Sequence, residues 1–176
     1  MSDLRNWLER LGEKIPGYSG YAERERRRDV DKLHRERLAD RLRSLKAPLN
    51  ELLRAMTDGG RLFETGPVER VVKKLDQIEN RVRFASYGYA GFFDAVRVES
   101  AQLEELYRFD LALVEKVEAL ERVVRGLGSA AETKAGVAEA ERAVDELNRT
   151  FDQRHDAING FDGGSSASSG GGLFGN

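Results

Sequence analysis

The 176-residue chain has no cysteine, three prolines, one tryptophan and two histidines. Without cysteine there are no disulfides and no thiolate metal sites. No run of about 18 apolar residues occurs, so no segment is expected to span a membrane. The first residues lack the apolar core and small-residue cleavage site of a secretory signal, and a cytoplasmic location is the expectation. A formal charge of -2 gives no general attraction to nucleic acid or anionic lipid. Nothing pairs a nucleophile with its base, and no glycine-rich phosphate loop follows a strand. Neither an enzymatic activity nor a cofactor is therefore expected.

What the chain has in excess is charge, 34% of residues against 40% hydrophobic, which is the composition of long amphipathic helices. Residues 3–14 follow Ser2 as a helix cap and place Leu4, Trp7, Leu8, Leu11 and then Ile15 on one stripe. "IPGYSG" breaks the chain. A long helix is expected from about residue 20 to 57, with Leu38, Leu42, Leu45, Leu49, Leu52 and Met56 as a seam and a kink at Pro48. "TDGGRLFETGP" reads as a turn, with Pro67 opening a helix that buries Val68, Val71, Leu75, Ile78 and Val82. A third long helix begins near Ser100. A fourth opens on a capping box of Ser129 and Glu132 and carries Val137, Ala140, Val144, Leu147, Phe151 and Ile158. The pattern predicts an all-α protein. It is an antiparallel up-and-down four-helix bundle over residues 16–160, coiled-coil-like, preceded by a short amphipathic helix (1–15) and followed by a disordered Gly/Ser tail (161–176).

The run "RERRRD" poses a separate question. Residues 23–46 hold ten Lys/Arg against six Asp/Glu, and residues 132–162 hold eight acids against four bases. The acids interrupt any basic stripe, so a solvated, ion-paired surface is expected in place of a nucleic-acid contact. Pairs four apart, Glu23 with Arg27 and Asp31 with Arg35, fit that surface. The first and last long helices are expected to be neighbours, the basic one beside the acidic one.

Three groups of residues are candidates for function. Tyr18, Tyr21, Phe84, Tyr87, Tyr89, Phe92, Phe93, Phe151 and Phe161 should converge at one end of the bundle. One reading of that end is a packed lid that closes the bundle; in the other, Tyr18, Tyr87, Tyr89 and Phe92, together with Leu173 and Phe174 in the tail, are the contacts of an adaptor that binds a protein partner or a second copy of itself. A peripheral membrane contact through Leu4, Trp7 and Leu11 is the first alternative. The second is a metal site from the inward-facing His34, Glu79, Asp110 and His155, on the analogy of di-metal bundles. The competing expectation for those four is a buried polar network in which Arg24 or Arg27 pairs with Asp110 and carboxylates satisfy the histidines.

Overall fold

The computed structural model describes residues 2–85, 92, 95, 98–127 and 133–163. All regular structure among them is helical: α1 (Ser2–Lys14), α2 (Arg27–Ser44), α3 (Lys46–Asp58), α4 (Gly66–Phe84), α5 (Ser100–Arg125) and α6 (Thr133–Gly163), with 3₁₀ turns at Arg24–Arg26 and Leu62–Glu64. The predicted stripes are the core. Leu38, Leu42, Leu49, Val71, Leu75, Ile78, Leu106, Val117, Leu120, Ala140 and Val144 are all buried.

Three boundaries differ from the sequence expectation. The helix expected from residue 20 begins at Arg27, because Gly17 and Gly20 adopt φ of 88° and 80° and turn residues 15–23 into a strap. The kink expected at Pro48 is a break at Leu45, where the amide bonds back to Leu42 O at 3.2 Å. Pro48 cannot donate to the carbonyl of Ser44, so the ladder fails at its acceptor end. The last helix continues to Gly163, beyond the Gly160 expected to end it. The Ser129–Glu132 capping box and the tail from 164 lie outside the described residues. At Ser100 the start is fixed by Gln102, whose side-chain oxygen accepts the Glu99 N–H at 2.9 Å.

Cross-helix pairs set the directions. Arg35 donates to Arg83 O, Arg83 meets Asp40 and Lys46 meets Asp76, so α2–α3 and α4 are antiparallel. Arg154 meets Asp110 and Lys116 meets Glu146, so α5 and α6 are antiparallel. The two hairpins then lie side by side with matching sense. Arg70 and Lys74 reach Glu141, Lys74 also reaches Asp145, and Arg81 reaches Asp152, so α4 and α6 run parallel. Arg41 meets Glu118 and Glu121 while His34 lies beside Asp110, so α2 and α5 are parallel too.

The acidic helix α6 therefore sits between α4 and α5, and the basic helix α2 between α4 and α5 on the other side. This corrects the expected adjacency of the first and last long helices. Consecutive helices α4 and α5 therefore lie on a diagonal, with the C-terminus of α4 and the N-terminus of α5 at the same end of the bundle. That end is where Arg27 reaches the backbone oxygens of Phe92 (3.3 Å) and Ala95 (2.8 Å).

Helix α1 runs parallel along α5, with Arg10 on Glu115 (2.8 Å) and Lys14 on Glu118 (2.7 Å). Residues 15–21 then fold back beneath it. Leu11 and Ile15 are buried, and Leu4, Trp7 and Leu8 pack partly buried against the core. The apolar stripe offered as a membrane anchor is thus turned toward the protein. No helix among the described residues is long and apolar enough to cross a membrane.

Candidate functional site

The heptad seams carry polar residues at the strap end. On α5 the seam Leu103, Leu106, Asp110, Leu113, Val117 alternates steps of three and four. On α6 the seam Leu147, Phe151, Arg154, Ile158 does the same. Asp31 and His34 occupy the equivalent layer of α2. One layer of the bundle is thus built from charges, with Asp31, His34, Asp110 and Arg154 all essentially inaccessible.

Asp110 is the hub. Its Oδ1 accepts from Arg154 Nε at 2.6 Å, and its Oδ2 accepts from Tyr18 (2.8 Å) and Tyr21 (2.6 Å) hydroxyls. Arg154 Nη2 also donates to Asp31 Oδ1 at 2.8 Å and to the Tyr21 hydroxyl at 3.1 Å. Arg35 Nε closes the set on Asp31 Oδ2 at 2.7 Å. Two carboxylates thus face two guanidinium groups in a dry interior, where an unpaired charge costs most. Burial opposes ionisation of Asp110, but Arg154, His34 and the Tyr21 hydroxyl outweigh it and hold its carboxyl below the usual range. Burial, reinforced by Asp110, pushes both tyrosines well above their ordinary pKa, so they remain donors.

The aromatic rings brace this layer. Tyr21 stacks on Tyr107 with centroids 5.7 Å apart, and Tyr18 and Phe92 meet Tyr21 edge-on at 5.9 and 6.1 Å. The Tyr107 hydroxyl accepts the Tyr21 N–H at 2.8 Å. Arg27, placed by sequence on a solvated surface pairing Glu23, is buried, and its Nε donates to Tyr21 O at 2.8 Å. Glu23 pairs with Arg26 instead. The pairing of Asp31 with Arg35 forms, but inside the protein.

His34 is held differently from the carboxylates and tyrosines of the cluster. Its Nε2 lies 3.4 Å from Asp110 Oδ1, and neither ring nitrogen makes a hydrogen bond among the described residues. Burial lowers its pKa, against an opposing pull from Asp110, with Arg154 and Arg35 also lowering and Asp31 raising. The unfolded chain therefore takes up a proton near pH 6.5 while the folded chain does not. Stability is expected to fall as pH drops from about 6.5 toward 5. His34→Leu, which leaves no broken hydrogen bond, is expected to flatten that segment. Urea midpoints at pH 7.5 and 5.5 check it, and an unchanged slope would refute it.

The four residues considered for a metal are not brought together. His34 and Asp110 adjoin, but Arg154 fills the space between Asp110 and Asp31. Glu79 faces Lys46 (2.6 Å), Arg83 (3.1 Å) and Arg43 (3.2 Å) elsewhere on α4. His155 is half-buried beside Asn159 at 2.9 Å, because its neighbour Arg154 takes the inward position. Among the described residues no group of three or more His, Asp or Glu could hold a metal ion. Arg154, in place of Arg24 or Arg27, is the partner of Asp110.

The proposed contact residues divide as well. Tyr18 and Phe92 are buried within the cluster, while Phe84, expected to converge there, is 64% exposed. Phe151 is buried, with the Arg81 guanidinium 5.5 Å from its ring. Tyr87, Tyr89, Phe93, Leu173 and Phe174 lie outside the described residues, and the side chain of Phe161 is not described.

An accessible apolar surface occurs at the opposite end, where the sequence reading placed only a turn. Helix α3 ends with Gly60 at φ 74°, and Arg61 N–H bonds back to Met56 O at 2.8 Å, a Schellman closure. The next turn is held by the Thr65 hydroxyl on Leu62 O at 2.9 Å. This tight turn projects Leu62 (59% exposed) and Phe63 (fully exposed at 103%) into solvent. Beside Phe63 lies a cleft of about 510 Å³, walled by Met56, Pro67, Val68 and Val137 and flanked by Arg61, Glu64 and Lys134. The signal was present in "GGRLFETGP": two large apolar residues in a turn, belonging to no helical stripe.

No family model, no curated protein and no solved structure matches this chain.

Proposed function

We propose that this helical bundle is a non-enzymatic adaptor or scaffold that acts by binding protein, and that its docking surface is the Phe63 cleft. The observation that carries the reading is the fully exposed Phe63 ring, held by a tight turn beside an apolar cleft. Large aromatics exposed on a rigid element supply contact area at low entropic cost, and clefts of this size suit a short apolar anchor. The charged layer serves the same function indirectly. It fixes the register of the helices, as polar seam residues do in coiled coils, so the far end presents one defined shape.

Phe63→Ser is expected to change unfolding free energy by less than about 0.5 kcal/mol, as for an exposed side chain outside the core, while abolishing partner capture. A photo-crosslinking phenylalanine analogue at position 63 is expected to yield a discrete product in the native host. The same analogue at exposed Glu51 on α3 serves as the control. No discrete product from position 63, or destabilisation by Phe63→Ser of more than about 1 kcal/mol, would count against the surface.

A further inference from the structure

We infer that the cleft beside Phe63 receives the Leu173–Phe174 segment of a second copy of this chain, so that copies associate end to end. This rests on reading the cleft as a docking surface and names its occupant.

Reach comes first. The N-terminal turn of α6 lines the cleft through Thr133, Lys134 and Val137, and the chain leaves α6 at Gly163. From Val137 to Gly163 the helix is about 39 Å long at ~1.5 Å per residue. Phe174 is 11 residues past Gly163, a distance of about 36–40 Å only if fully extended. A glycine-rich segment of that length has a typical span of about 17–20 Å. A chain's own Phe174 could touch its own cleft only when drawn taut, with no slack to enter it. The same segment of another molecule has no such constraint.

Chemistry selects the segment. After Gly163 the sequence has no charged residue, and Leu173 and Phe174 are its only large apolar side chains among Gly, Ser, Ala and Asn. Met56, Pro67, Val68 and Val137 form the apolar part of the cleft between charged flanks, and Phe63 offers an exposed ring beside which a second phenylalanine can stack. A segment whose side chains are all uncharged leaves Arg61, Glu64 and Lys134 in water at the rim. Two apolar anchors of this size support a Kd on the order of 0.1 mM. Because the chain leaves α6 at Gly163, at the end away from the cleft, and donor and acceptor are different surfaces, the contact is heterologous, and copies add successively instead of closing as a two-fold dimer.

Sedimentation of the full chain tests this between roughly 10 µM and 1 mM, a range bracketing that Kd. The weight-average mass is expected to rise past that of a dimer, undiminished by added salt. Phe174→Ser and Phe63→Ser are each expected to weaken association at least about tenfold. Mixing these two variants is the decisive arm. The Phe63→Ser chain keeps a working segment and the Phe174→Ser chain a working cleft, so the mixture should form a 1:1 dimer and stop. A monomer throughout the range, assembly that survives Phe174→Ser, or a mixture that forms no dimer would each overturn the inference. If the full chain stays monomeric while crosslinking from position 63 captures a different protein, self-association falls and the docking surface stands. If crosslinking from position 63 gives no product either, both fall.

Discussion

Asp110→Ala is expected to lower the unfolding free energy by about 3–5 kcal/mol, the range seen when one member of a buried ion pair is removed. Against the 5–15 kcal/mol typical of a domain, roughly, that is a third or more of the total. The size follows from what the change strands. Arg154 loses the acceptor of its Nε, and the hydroxyls of Tyr18 and Tyr21 lose theirs, all of them buried. Asp31 remains, but it is already shared with Arg35. The burden is therefore on the guanidinium of Arg154, left facing one shared carboxylate.

A second variant separates charge from packing. In Asp110→Leu with Arg154→Met both partners become apolar, and a substantial part of the loss is expected to return, because no charge is then left uncompensated. Urea denaturation followed by circular dichroism measures all three proteins. A loss below about 1 kcal/mol for Asp110→Ala, the net worth of an ordinary hydrogen bond, would mean the layer is not a closed network.

Gly20→Ala is expected to cost about 2–4 kcal/mol, with the damage confined at first to α1 and the strap. The backbone at φ 80° is left-handed, a conformation that costs a residue with a Cβ about 1–2 kcal/mol. The added methyl would also lie 2.4 Å from Leu8 Cδ2 and 2.7 Å from Tyr107 Oη. Leu8 can swing away. Tyr107 cannot, because its hydroxyl holds the Tyr21 N–H and its ring is stacked on Tyr21. Relief must therefore come at the expense of that hydrogen bond or of the α1 contact, roughly another 1–2 kcal/mol.

Trp7 makes this testable locally, since it is the sole tryptophan and lies on α1. In the variant, its fluorescence is expected to report release of α1 at lower urea than the loss of helical dichroism. Coincident transitions at the parent midpoint would show that the strap tolerates a side chain there. The two experiments bear on different links. Asp110 tests what holds the bundle in register, and Gly20 tests what fastens α1 over it.

The sequence by itself determined that the protein is helical and where most of its helices lie. Period-3.5 stripes such as Val68, Val71, Leu75, Ile78 and Val82 can be buried only on one face of a helix, and these residues are the core. Glycine and proline punctuation near 16–20, 48 and 59–67 was legible for the same reason: these residues act on the backbone within one turn. The polar layer was partly legible. His34 and Asp110 read as inward-facing, while on α6 the inward position belongs to Arg154 and not to the adjacent His155. Continuing the alternating steps from Leu147 and Phe151 reaches Arg154.

Tertiary structure alone decided the rest. Consecutive helices α4 and α5 lie on a diagonal and not side by side, and no local pattern encodes that choice. The partner of Asp110 is 44 residues away on α6, and the strap reaches Asp110 only because α1 folds over it. Arg27 and Asp31 look like solvated charges in a basic run, and become buried only where Arg27 meets the backbone of Phe92 and Ala95 and Asp31 meets Arg154 of α6. The exposure of Phe63 is a fact of the same kind. Turn chemistry fixes the backbone there, but only the packed bundle determines that nothing among the described residues covers the ring. Local propensity acts over one or two helical turns. Pairing of buried charges and the shape of a cleft are set by segments that meet only in the folded chain.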